Sequence, residues 1–225
     1  KIMRGMLMRL YRLNPLFVEE LGILSVDRLA RRADEESSPL GSATKGADGS
    51  YTIRFGKQTI RNNGVDKMGV IQLFAHELSH IGRMKFIKNS SSEWMKWVDV
   101  YDSEIGESLL RKLVQAWHGG RWTEDAQDEF DKLYKGGPEE FIAGLTQYFL
   151  LEDMLPVIEG MTLEESKVMS KAKGIMARIM SFIHKTFWDI SSVFVHFENT
   201  NPDEYREVQN LLYRTLGWDP VAGLN

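Results

Sequence analysis

The sequence predicts a helix-dominated α+β protein with one small β-sheet. Long stretches place apolar residues at helical spacing, and only Tyr51-Thr52-Ile53-Arg54-Phe55 alternates clearly with period two. Composition agrees with a packed globular core: 43% of the 225 residues are hydrophobic and 27% are charged. The length suffices for one well-packed domain with a helical extension.

Taken in order, residues 2–13 read as a short amphipathic helix rich in Met, Leu and Arg, stopped by Asn14-Pro15. Residues 16–33 read as a second helical stretch interrupted near Gly22, and 31–49 as a polar loop containing Pro39, Gly41, Gly46 and Gly49. The Tyr51–Phe55 strand and an Asn62-Asn63-Gly64 turn follow. A helix is expected from Asp66 to Arg83, with Val70, Phe74, Leu78 and Ile81 as its apolar stripe and Gly82 marking the chain's exit. Residues 93–117 read as one helix ended by His118-Gly119-Gly120, and residues 123–135 as another. Gly136-Gly137-Pro138 is a stop, and a helix from Glu139 to about Glu152 begins beyond it. The tail is read as a helix from Thr162 to about Ser192 and a last one from Asn201-Pro202 through Leu216. The expected organisation is an N-terminal helical segment (1–40), a core (41–155) and a C-terminal helical extension packed on it (156–225).

Charge and cysteine usage narrow the function. The net charge of -4 offers no basic field for nucleic acid. No run of about 18 apolar residues is present to span a membrane. With no cysteine, disulfides and thiolate metal sites are excluded, so any metal must be held by His and carboxylate. A cytoplasmic or virion-associated setting is favoured over a secreted one. The start at Lys1 suggests a module of a larger polypeptide, such as a phage or toxin protein.

The chemistry is carried by His76-Glu77-Leu78-Ser79-His80. Residues four apart on a helix sit about 40° apart around the axis and one turn apart along it, so both imidazoles can converge on one ion. Zinc held by neutral imidazoles keeps a position for water and lowers its pKa towards about 7. Glu77 lies between the two histidines in angle and can take the proton of that water as a general base.

A catalytic zinc needs a third protein ligand. Glu140, in the first turn of its helix and followed by Phe141, Ile142 and Ala143, is the leading candidate. Glu104 and Glu107 are alternatives closer in sequence to His80, and His118 beside Gly119-Gly120 would make a three-histidine site.

Together, His76-Glu77-Leu78-Ser79-His80 and Glu140-Phe141-Ile142-Ala143 resemble the gluzincin pattern, as in the catalytic domain of anthrax lethal factor and related zincins. The resemblance covers two short blocks within residues 50–152. It implies a zincin-like fold around an active-site helix, a zinc metallopeptidase activity on a protein or peptide substrate, and Glu140 as third ligand. It also implies Tyr134 as an oxyanion-stabilising residue, and an edge strand, here Tyr51–Phe55, that pairs with an extended substrate. An acidic residue often follows the Ala in that pattern; Gly144 stands there in this chain. Two other outcomes share the motif: an inactive zincin-like binding module, and a zinc hydrolase of a non-peptide amide.

Tyr148, His184 and His196 are expected to be packing residues. The amphipathic stretch from Ile175 to Lys185, with Lys171, Lys173 and Arg178, is expected to be a core helix with a solvated basic face.

Overall fold

A computed structural model of the chain describes residues 7–8, 11, 15–20, 25–29, 41–56, 67–89, 91–152 and 175–218. In order, the elements are α1 (Pro15–Glu20), β1 (Ser25–Leu29), β2 (Gly41–Lys45), β3 (Tyr51–Gly56), α2 (Lys67–Phe86), α3 (Ser92–Tyr101), α4 (Glu104–Trp117), α5 (Glu124–Lys135), α6 (Pro138–Glu152), α7 (Ile175–Thr200) and α8 (Pro202–Thr215). The fold is helix-dominated α+β, as the periodicities predict. Among the described residues, no helix is long and apolar enough to cross a membrane.

The sheet has the order β1-β3-β2. β3 is the central strand, parallel to β1 and antiparallel to β2. Its alternation reads out directly: Tyr51 and Ile53 are buried, whereas Arg54 is exposed. β2 joins β3 through a tight turn, closed by the Gly46 N–H donating to the Ser50 carbonyl at 2.7 Å, with Gly49 at φ 84°.

Two corrections arise here. The segment 31–49 is not wholly loop, because Gly41–Lys45 is strand β2. The N-terminal 1–40 segment is not wholly helical, because Ser25–Leu29 adds a strand to the core sheet. Gly-Ser-Ala-Thr-Lys has small side chains and no apolar alternation, so its pairing with β3 is settled by tertiary contact rather than by its own propensity.

The helices begin where their caps dictate. Ser91, Ser103 and Thr123 accept the backbone N–H groups of Trp94, Gly106 and Ala126, which satisfies orphan donors at the starts of α3, α4 and α5. The Ser103 cap explains why 93–117 is two helices rather than one. Its hydroxyl also donates to the Val100 carbonyl at 2.7 Å, and a Cβ on Gly106 would collide with that carbonyl. α2 runs on to Phe86, so Gly82 lies inside it rather than at an exit. α7 runs past Ser192 to Thr200, whereas residues 162–174 lie outside the described part.

α6 is the central helix. Every residue from Phe141 to Leu151 is buried, as expected of a helix surrounded by protein. It packs most extensively against α2, which buries Phe74, Ala75, Leu78 and Ile81. The remaining faces of α6 meet α5, α7, α3, α4 and α8. α7 and α8 contribute Phe187, Ile190, Phe194, Phe197, Tyr205 and Leu212 to the same hydrophobic cluster, so the C-terminal helices are part of the core.

Leu78 is fully buried within the metal-motif helix. Leu78→Ala is expected to cost about 2–5 kcal/mol in denaturant unfolding through the cavity it leaves. A loss below about 1 kcal/mol would show that α2 is not anchored in this core.

Candidate metal centre

α2 and α6 run antiparallel, and polar pairs follow their contact in register. Arg83, near the end of α2, pairs with Glu139 in the first turn of α6; it also donates to Asn89 and stacks over Trp94 at 4.7 Å. One turn back along α2, His80 Nε2 lies 3.5 Å from Glu140 Oε1. A further turn back, His76 Nε2 lies 3.2 Å from Glu140 Oε2, and the two histidine Nε2 atoms are 3.0 Å apart.

Donor atoms bound tetrahedrally to zinc at about 2.0–2.1 Å stand roughly 3.3 Å from one another. The three separations here, 3.0, 3.2 and 3.5 Å, bracket that value. Among the described residues, His76, His80 and Glu140 form the one group of three or more His, Asp or Glu able to hold an ion. The ligand set expected from the two sequence blocks is therefore brought together. The side chains keep 15%, 20% and 40% of their exposure, so the centre opens to solvent. Hydrogen bonds from the two imidazoles hold the Glu140 carboxyl well below the usual carboxylate range.

His76 is oriented from behind. Its Nδ1 lies 2.9 Å from Gln147 Oε1, a contact that sets the ring with Nε2 facing the centre. Gln147 was not singled out in the sequence. The available signal was its spacing: seven residues from Glu140 returns to within about 20° of the same helix face. Gly144, where the gluzincin pattern often has an acidic residue, faces α5 instead. A Cβ there would meet Leu133 at 3.1 Å.

Glu77 is 5% exposed. Burial pushes its carboxyl up to about 7; the neighbouring Glu140 charge adds to the rise and His76 opposes it. β2 passes directly over it, since a Cβ on Gly41 would lie 2.7 Å from Glu77 Oε1 and 3.0 Å from Leu73 Cδ1. Glycine at 41 lets the strand backbone close over the carboxylate.

Other expected site residues lie elsewhere. The Tyr134 hydroxyl donates to the Tyr101 carbonyl at 3.3 Å, and the Tyr101 hydroxyl donates to the Tyr134 carbonyl at 3.2 Å. Its ring stacks on Phe130 and meets Tyr101 and Phe141. Tyr134 thus ties α5 to the end of α3 and is not turned toward the three ligands. Glu104 is exposed and Glu107 pairs with Arg111 at 3.5 Å, so neither joins the centre. His118 pairs with Glu129 at 2.9 Å, and that carboxylate raises its pKa. Tyr51–Gly56 is central in the sheet; among the described residues, the edge strand beside the motif helix is β2. Tyr148 is buried, as expected, but its hydroxyl bonds to Glu129. His196 is exposed on the outer face of α7, its ring edge-on to its chain neighbour Phe197, so it is not the packing residue expected; the side chains of 175–184, His184 among them, lie outside the described part.

Comparisons with known protein families, with curated proteins and with solved structures find no match to this chain.

Two outcomes follow from this geometry. Gly41→Ala is expected to displace the Glu77 carboxylate toward water and lower its pKa from about 7 toward 4.5, read by carboxyl ¹³C shifts in metal-free protein. An unmoved titration would show that β2 does not press on Glu77. The raised His118 pKa means that the Glu129 pairing stabilises the fold fully below the ordinary histidine value of 6.5 and is lost as pH climbs through the raised value. Unfolding midpoints of wild type and His118→Gln should therefore converge as pH rises above 6.5, and a constant gap would contradict the pairing.

Proposed function

We propose that this protein is a zinc-dependent metallopeptidase with a zincin-like core, in which His76, His80 and Glu140 hold the ion and Glu77 is the general base. The observation that carries the reading is the convergence of two Nε2 atoms and one carboxylate at zinc-ligand spacing, contributed by two separate helices. Zinc held by these three residues would supply Lewis acidity to a substrate carbonyl and to the attacking water.

The chain's own groups account for the rest. Gln147 holds the His76 ring with Nε2 toward the ion and would accept its Nδ1–H when the metal is bound. Arg83 secures the first turn of α6 through Glu139, next to the ligand Glu140. Glu77, next to the ligands and shielded from bulk water by β2, takes a proton from the attacking water and returns it to the leaving amine. A carboxylate is an effective proton carrier near neutrality when burial has raised its pKa this far.

A peptide substrate is favoured by β2. This strand pairs with β3 on one side, and among the described residues no strand pairs with it on the other. It lies against α2 at Glu77, so an extended peptide added to its free edge would pass the centre. Such main-chain pairing accepts many side-chain sequences.

Elemental mass spectrometry should find about one zinc per chain in the wild type and in Glu77→Gln, and little in His80→Ala or Glu140→Ala. Glu77→Gln should hydrolyse a mixed peptide substrate about 10²–10⁴-fold more slowly than wild type. Absence of zinc after reconstitution would refute the metal site. Full activity in Glu77→Gln would refute the base.

A further inference from the structure

Glu129 lies on α5, outside the metal centre, yet it is bonded to both helices that build that centre. Its Oε1 accepts from the Tyr148 hydroxyl of α6 at 2.5 Å and from the Gln72 side-chain amide of α2. Its Oε2 pairs with His118 Nε2, at the end of α4, at 2.9 Å. The Gln72 amide also lies 3.5 Å from the Tyr148 hydroxyl, which closes a triangle between α2, α5 and α6. The Tyr148 side chain is fully buried, and the Glu129 side chain is only 20% exposed. Hydrogen bonds to a carboxylate in such a setting are short, strong and directional.

The two groups that Glu129 gathers lie at the same end of the α2–α6 contact, one next to His76 and the other next to its partner Gln147. Gln72 stands one helical turn before His76 on α2. Tyr148 directly follows Gln147, whose Oε1 lies 2.9 Å from His76 Nδ1. A phenol hydroxyl at this depth is costly unless paired, and packing alone would be served by a phenylalanine. The network is therefore a constraint on how α6 is set against α2, at the level where the two helices meet through His76.

We infer that Glu129 is a positioning residue for the metal centre. By clamping Gln72 and Tyr148 it fixes the setting of α6 against α2, keeps Gln147 Oε1 beside His76 Nδ1, and so holds the His76 ring with Nε2 toward His80 and Glu140. The consequence for zinc rests on the metal-site reading above; the effect on the His76 ring does not require a metal.

The test begins with metal-free protein, in which imidazole ¹⁵N shifts of His76 are recorded at a pH where the ring is neutral. Wild type should show one dominant tautomer. Glu129→Gln keeps the side-chain size but has one acceptor oxygen for three donors, and should give a mixture of the two tautomers. Tyr148→Phe removes one oxygen and keeps the ring packed, and should shift His76 in the same direction. Zinc Kd, measured by competition with a chromophoric chelator, should weaken about 10–100-fold in Glu129→Gln. The double variant should weaken it no further than the stronger single one, because both act through one path.

Unchanged His76 tautomer in both variants, with only a lower melting temperature, would overturn the inference. Wild type that takes up no zinc while its His76 tautomer still responds to Glu129→Gln would support the positioning role and refute the metal site. Wild type that binds zinc with an indifferent His76 tautomer in both variants would refute the positioning role alone.

Discussion

The antiparallel contact between α2 and α6 is the constraint on which the rest depends. α2 buries Phe74, Leu78 and Ile81, and α6 buries every residue from Phe141 to Leu151. That apolar contact sets two rigid rods side by side. Along its open side, polar groups meet in register: Arg83 with Glu139, His80 and His76 with Glu140, His76 with Gln147, and Gln72 with Tyr148. A slip of one helical turn, about 5.4 Å, would separate every one of these pairs. The hydrophobic effect thus supplies the adhesion, and the polar ladder supplies the register.

The same contact divides labour between two carboxylates. Glu140, 40% exposed and bonded by two imidazoles, stays ionised well below the usual carboxylate range. Glu77, almost fully buried beneath β2, is raised to about 7. The groups share a site and differ in environment: hydrogen bonds to the charged form dominate at one, desolvation at the other. A permanently charged carboxylate suits cation binding, whereas one poised near neutrality suits proton transfer. Gly41 belongs to this division, because only a residue without a Cβ allows the strand to lie so close to Glu77.

Support for the centre extends past its ligands. Arg83 at one end and Glu129 at the other bracket the stretch of α2 that carries His76 and His80. Both make charge-assisted bonds while mostly withdrawn from water, where such bonds are strongest. The C-terminal helices take part as well: Trp97 of α3 donates to Thr215 of α8 at 3.2 Å in the buried core, so the scaffold around α6 is closed by residues distant in sequence.

The sequence by itself determined the elements whose signals are local. The apolar stripe of α2, the Gly136-Gly137-Pro138 stop before α6, the alternation of β3 and the four-residue spacing of His76 and His80 all follow from periodicity and backbone chemistry within a few residues. Glu140 was legible as a first-turn carboxylate, though Glu104, Glu107 and His118 competed with it, because sequence distance does not reveal which helix lies against α2. Only the tertiary structure brought Glu140, and not these others, beside His76 and His80, by setting α6 against α2. It alone made a strand of Gly41–Lys45, whose small residues carry no alternation, and placed Tyr51–Gly56 in the middle of the sheet. It also turned the Tyr134 hydroxyl toward the Tyr101 carbonyl, brought Gln147 to His76, and brought Glu129 to Gln72 and Tyr148. The physical reason is common to all of these: pairing across a sheet and hydrogen bonding between helices depend on partners far apart along the chain, and no local pattern records them.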